Sequence, residues 1–228
     1  MRPTPRQIAA LGRRDPALGA WMRALAPFPG FPDAAHRTGT HYEALARAIV
    51  FQQLAGAAAA TIHARVCALT PGARFPQPGE IATLDDAALR AAGLSAAKVA
   101  AVRDLAARVE SGRLRLGGIG RLRDDEIVER LVEVRGIGVW SAQMFLLFRL
   151  GRLDVLAPGD LGLQEGLRIL EGLAERPGPR ALEACRERWS PLCSVASWTL
   201  WRLVEHERAR RAVGRPAARA ANSRRDRG

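Results

Sequence analysis

Leu131-Val132-Glu133-Val134-Arg135-Gly136-Ile137-Gly138-Val139-Trp140-Ser141-Ala142 is the stretch on which the fold turns. An apolar helical run ends near Val134, two glycines bracket one isoleucine, and a second apolar helix begins at once. Gly136 and Gly138 lack the β-carbon that makes positive φ costly, so the chain can reverse within three residues. The same lack lets their backbone N–H groups approach an anion at the head of the second helix, where the macrodipole also favours negative charge. Ile137 anchors the turn in the core, and small Ala142 lets the two helices pack closely. The reading is a helix-hairpin-helix over residues 131–145, a module that grips a nucleic-acid backbone without reading bases. A purely structural αα-turn is the alternative. The chain carries its own control. Gly118-Ile119-Gly120 repeats the tripeptide, but Arg121-Leu122-Arg123-Asp124-Asp125 follows it in place of an apolar helix, so that copy reads as a loop.

Outward from the hairpin, Ala, Leu and Arg dominate, β-branched and aromatic runs are scarce, and apolar residues recur every three or four positions. That pattern predicts an all-α fold. Helices are expected over 41–54, 57–69, 86–92, 95–109, 124–134, 139–150, 161–173, 180–189 and 195–207. Pro- and Gly-rich loops fall at 26–33, 71–79 and 176–179.

The net charge is +12, which favours a polyanionic partner. Residues 208–228 hold eight arginines against Asp226 alone, with almost no large apolar side chain, and read as a disordered Arg-rich tail. The body therefore carries only +5 of the total. Lys98 is the only lysine, so an amine nucleophile would have to be Lys98 or the N-terminus. Cys67, Cys185 and Cys193 fit no zinc or iron–sulfur spacing and read as buried or semi-buried thiols in a reducing compartment. His36, His41, His63 and His206 form no ligand spacing either. No stretch is long and apolar enough for a signal peptide or a bilayer span, so a cytoplasmic protein is expected, nucleoid-associated if bacterial.

One helix beyond the hairpin comes Asp154-Val155-Leu156-Ala157-Pro158-Gly159-Asp160-Leu161-Gly162. Asp160 opens the next helix, and aspartate is a favoured N-cap with no need of a catalytic purpose. The functional reading uses the same geometry: a carboxylate kept ionised by the helix dipole can stabilise positive charge developing at a sugar C1′, or orient water there.

With the hairpin and Pro158-Gly159-Asp160 in place, the later Trp189-Ser190-Pro191, Trp198 and Trp201 complete a pattern that resembles the helix-hairpin-helix DNA glycosylases. The AlkA-type 3-methyladenine branch is the most similar. Ala44-Leu45-Ala46-Arg47-Ala48-Ile49-Val50-Phe51-Gln52-Gln53-Leu54 and Leu94-Ser95-Ala96-Ala97-Lys98-Val99 are similar to that branch as well. The resemblance runs from His41 to Trp201 and implies two helical lobes with a DNA-binding cleft between them. One lobe is expected over 41–152, the other over 1–40 plus 153–207, in a short form without the N-terminal mixed lobe of the AlkA type.

The resemblance further implies that Asp160 is the catalytic carboxylate and that Gly136, Ile137, Gly138 and Ser141 bind the DNA backbone. Gln53, with Leu54 next, would be the wedge that fills the gap left by a flipped nucleotide. Related lyases place a Schiff-base lysine where this chain has Trp140, so water is the expected nucleophile and Lys98 a surface residue. Trp140 is either a core tryptophan or a wall of the base pocket, stacking on a cationic alkylated purine. Met144 and Leu192 occupy pocket positions that are aromatic in the AlkA type, which puts the usual substrate range in question. No cofactor is expected, although the resemblance implies a sodium or potassium ion at the hairpin carbonyls of Val134 and Gly136. The expectation is thus a monomeric, monofunctional glycosylase that removes 3-methyladenine-like bases from damaged double-stranded DNA. The rivals are a glycosylase for another lesion and a non-catalytic DNA-binding or damage-sensing protein, which would need the glycines but not Asp160.

Overall fold

The computed structural model describes residues 2–32, 37–72 and 74–213, and the described residues contain helices and loops but no strand. The chain divides into two compact units. One holds Arg2–Pro29 with the chain from Leu153 onward; the other is Gly30–Arg152. The expected division put residues 30–40 with the N-terminal segment. The described ones, 30–32 and 37–40, belong instead with the hairpin unit, where Arg149 reaches the carbonyls of Thr38 (3.0 Å) and Gly39 (2.5 Å).

The first unit opens with α1 (Pro5–Arg14) and α2 (Pro16–Ala24). Neither was expected, yet Thr4-Pro5-Arg6-Gln7 is a capping box with proline at the first helical position, and Asp15-Pro16 repeats the device. The two helices pack where Gly12 meets Gly19; a β-carbon on Gly19 would stand 2.7 Å from the Gly12 Cα. After the second unit the chain returns as α10 (Leu161–Leu170), α11 (Pro179–Ala184), α12 (Arg186–Trp189) and α13 (Cys193–Val213). α10 lies against α13 at backbone distance, for a β-carbon on Gly166 would stand 2.6 Å from the Leu200 Cβ. Asp15 joins both ends of this unit. Only 6% exposed, it accepts hydrogen bonds from the Leu18 N–H (3.0 Å) and the indole N–H of buried Trp189 (2.8 Å), and pairs with Arg188. α13 continues to Val213, so Arg208–Val213 are helical, contrary to the expected tail. Apolar packing of Val195, Leu200, Leu203 and Val204 over about three turns supplies the nucleus from which the helix propagates. Residues 214–228 lie outside the described residues.

The second unit contains α3 (His41–Phe51), α4 (Gly56–Cys67), α5 (Pro78–Thr83), α6 (Asp86–Ala91), α7 (Ala96–Glu110), α8 (Asp124–Val132) and α9 (Val139–Met144). α7 is central, packing on α3, α5 and α6, and buries Val102 and Leu105 among Ile49, Ile81 and Leu89. α5 falls in the expected 71–79 loop and beyond. Its signal was Pro78 at the first helical position with Glu80 bonding back to the Gln77 N–H at 2.7 Å. α9 ends earlier than expected and passes into a π-helical turn over Phe145–Arg149. The Gly118 copy of the tripeptide leads only into a short 3-10 turn, Ile119–Arg121, as a loop should.

Candidate functional site

In the hairpin unit, α8 ends at Val132 and α9 begins at Val139. Gly136 has φ 80°, a left-handed turn that β-carbon-bearing residues avoid, and a β-carbon there would also stand 3.1 Å from the Ala101 Cβ. Gly138 departs from expectation: with φ −93° it is ordinary extended backbone and serves as the N-cap of α9. Its missing side chain leaves open space, with nothing within 4 Å of the β-carbon position. Ile137 is 4% exposed and anchors the turn, while Ala142 is fully buried. The N–H groups of Gly136, Gly138 and Val139 meet no acceptor among the described residues, and all three residues are exposed. Exposed, unpaired donors at the head of a helix are what an anionic oxygen binds.

The end of α3 is built onto this hairpin. The Gln52 side-chain amide donates to the Gly136 carbonyl (2.8 Å) and lies 3.4 Å from the Ser141 hydroxyl. Ser141, expected on the DNA backbone, therefore also faces this glutamine. Gln53 is exposed and has φ 56°, the only positive φ at a non-glycine among the described residues. Leu54 is 40% exposed. Both candidate wedge residues thus project from one strained turn. Lys98 is half-buried, not a surface lysine: its ammonium donates to the carbonyls of Val50 (2.7 Å) and Gln52 (2.8 Å), and burial holds its pKa below the ordinary lysine value. Sequence reasoning missed this role because residues 46 positions apart meet only in the folded unit.

Trp140 is 48% exposed, which removes the core reading, and Met144, one turn on, is half-buried. Of the hairpin carbonyls, Val134 accepts from the Ile137 N–H (3.0 Å) and Gly136 from Gln52. Each of these carbonyls keeps a second lone pair for a further donor or a cation. Among the described residues no cluster of His, Cys, Asp or Glu could hold a metal, and no helix is long and apolar enough to cross a membrane.

In the other unit Asp160 is the N-cap of α10 and 8% exposed. Its Oδ1 accepts from the Leu163 N–H (2.8 Å) and from the indole N–H of Trp201 (3.1 Å). The capping reading of this side chain is thus met. Gly162 makes this possible: a β-carbon there would stand 3.0 Å from Asp160 Oδ1 and 3.1 Å from the Trp201 ring. Trp201 was missed as a site residue; the glycine two positions after the aspartate was the available signal. Leu192, expected in the base pocket, is 1% exposed and belongs to the core of this unit. Before α10, Asp154 accepts from the Ser190 hydroxyl (2.7 Å) and the Cys193 N–H (3.2 Å), fixing the loop that leads to Asp160. The three cysteines are free and buried, as expected.

A hairpin with unpaired backbone donors in one unit and a nearly buried helix-capping carboxylate in the other define a helix-hairpin-helix protein of the kind equipped for chemistry. Residues 46–191 match the HhH-GPD superfamily of base excision DNA repair proteins, and the chain belongs to that family. It is 35% identical over 162 residues to DNA-3-methyladenine glycosylase 1 of Schizosaccharomyces pombe, covering 71% of each chain. A putative DNA-3-methyladenine glycosylase of Bacillus subtilis is 34% identical over 131 residues, 58% of this chain and 46% of that one, so the match spans about half of that relative. Among solved structures, the S. pombe 3-methyladenine DNA glycosylase in complex with abasic DNA superposes with a TM-score of 0.77 at 30% identity, over 86% of this chain and 95% of that one.

Proposed function

We propose that this protein is a monofunctional DNA glycosylase that excises alkylated, 3-methyladenine-like bases by hydrolysing the N-glycosidic bond, with Asp160 as the catalytic carboxylate. The observation that carries the reading is the seating of Asp160: an 8% exposed carboxylate held in one orientation by a helix N-terminus and an indole N–H. A preorganised negative charge of this kind stabilises the oxocarbenium character that develops at C1′ as the base departs. The hairpin donors of Gly136, Gly138 and Val139 hold the DNA by a phosphate, and the damaged nucleotide leaves the stack. The exposed Trp140 face suits an electron-poor, cationic base. Such a base leaves without a general acid, so one carboxylate and one water suffice. A single copy of the chain carries all of these parts, which supports action as a monomer.

The test is release of bases from methylated duplex DNA, identified by mass spectrometry, with wild type and Asp160→Asn. Wild type should release 3-methyladenine and the variant should lose about 100-fold or more in single-turnover rate while still binding DNA. No release by wild type would leave only a binding module, and equal release would remove Asp160 from its role. Borohydride should trap no covalent adduct, since Lys98 is committed to two carbonyls.

A further inference from the structure

The end of α3 is held from two sides. Gln53 sits at φ 56°, a conformation that residues with a β-carbon adopt only when their surroundings impose it. On one side the Lys98 ammonium clamps the carbonyls of Val50 and Gln52, the last turn of α3 and the residue just before Gln53. A cation there also complements the negative end of the helix dipole. On the other side the Gln52 amide is tied to the Gly136 carbonyl, in the turn whose exposed N–H groups are the proposed phosphate donors. Lys98 itself is placed by its own helix: the Ser95 hydroxyl caps α7 at the Lys98 N–H (3.3 Å), and Val99 beside it is buried.

We infer that Lys98 and Gln52 are positioning residues that lock the Gln53–Leu54 turn to the hairpin, so that a phosphate gripped by the hairpin fixes where the wedge enters the duplex. This rests on the glycosylase reading and on Gln53 and Leu54 as the wedge. Energy for extruding a nucleotide must come from protein groups that replace it in the stack. A turn free to relax from φ 56° would retract, and the gap would close. The only lysine of the chain thus serves geometry, not nucleophilic attack.

The experiment uses full-length protein and duplex DNA containing 2-aminopurine beside a tetrahydrofuran abasic-site analogue, where fluorescence rises as the wedge unstacks the neighbouring base. Lys98→Met and Gln52→Ala should each lower the fluorescence amplitude and the single-turnover excision rate tenfold or more. Affinity for undamaged duplex, set by the hairpin donors, should stay within twofold, and Lys98→Arg should recover excision to within threefold of wild type. Wild-type fluorescence in Lys98→Met and Gln52→Ala would overturn the inference. So would an equal loss of undamaged-duplex affinity and excision, which would make Lys98 a phosphate contact or a folding residue; Gln52→Ala, which leaves Lys98 in place, separates those cases. A Gln53→Ala/Leu54→Ala double variant that unstacks DNA as wild type does would refute the wedge assignment itself, whatever the two tethers do.

Discussion

Asp160 caps α10, and in the proposed function the same side chain is the carboxylate that acts at C1′. Capping α10 fixes its position, and the indole of Trp201 fixes its rotation. Trp201→Phe keeps the ring but removes a hydrogen bond to a charged group, worth about 1.5–3 kcal/mol. A carboxylate free to rotate should lower the excision rate by about tenfold, a change single-turnover kinetics would register. Gly162→Ala is the sharper test. Helix propensity alone predicts that alanine inside α10 stabilises by about 1 kcal/mol. With Asp160 as the proposed catalytic group the reverse is predicted for activity, because the added carbon would stand 3.0 Å from its carboxylate. A variant that melts no lower than wild type yet excises more slowly is the expected outcome; unchanged kinetics would show that the carboxylate tolerates displacement. Aspartate after Pro-Gly was legible in the sequence because N-caps are local. Trp201 was not, since its bond crosses 41 residues and depends on how closely α10 meets α13.

The hairpin divides its work between two glycines that look equivalent in sequence. Gly136 answers to the backbone: φ 80° and the Ala101 contact at 3.1 Å make Gly136→Ala cost about 1–2 kcal/mol, visible as a lower denaturation midpoint. Gly138, in the proposed function, answers to the ligand: its backbone is ordinary and its β-carbon position open, so Gly138→Ala should leave stability unchanged. The added methyl would instead stand before the exposed N–H groups and weaken binding to DNA of any sequence. Measuring the melt and the DNA affinity of both variants separates the two roles, and a matching loss of affinity with no loss of stability in both would contradict the division. The periodicity located both helices of this motif and the control tripeptide at Gly118, because apolar spacing and glycine placement are properties of a short segment. It did not give the early end of α9 or the π-helical turn after it, where Arg149 is drawn to His41 (3.1 Å) and the carbonyls near it. Such pulls come from elements more than 100 residues away.

Across the molecule, buried polar groups make the stability depend on pH. Around Asp154 burial opposes ionisation, but hydrogen bonds from the Cys193 thiol, the Ser190 hydroxyl and the Cys193 N–H outweigh it and hold the carboxyl below its ordinary range. A depressed folded pKa contributes stability that is complete at neutral pH and is lost as pH falls through about 4 toward the folded value. Asp154→Asn should therefore melt lower at pH 7 and show a flatter acid limb in a plot of Tm against pH; an unaltered acid limb would place the acid sensitivity elsewhere. Asp15→Ala should also lower the melt, by about 1–3 kcal/mol, because it uncaps α2 and leaves the indole N–H of buried Trp189 unpaired, while Arg188 keeps Glu171. The sequence by itself determined the all-helical class, the hairpin with its glycine turn, and the carboxylate at the head of α10. Each of these follows from spacing and caps within a few residues, where local propensity and steric limits dominate. Tertiary structure alone decided that residues 30–32 and 37–40 join the hairpin unit, that Leu192 is core and Trp140 is not, and that Trp201 aims Asp160. It also decided that the only lysine closes the end of α3. Those outcomes depend on which distant surfaces meet, and burial with hydrogen-bond satisfaction is settled only when the whole chain has packed.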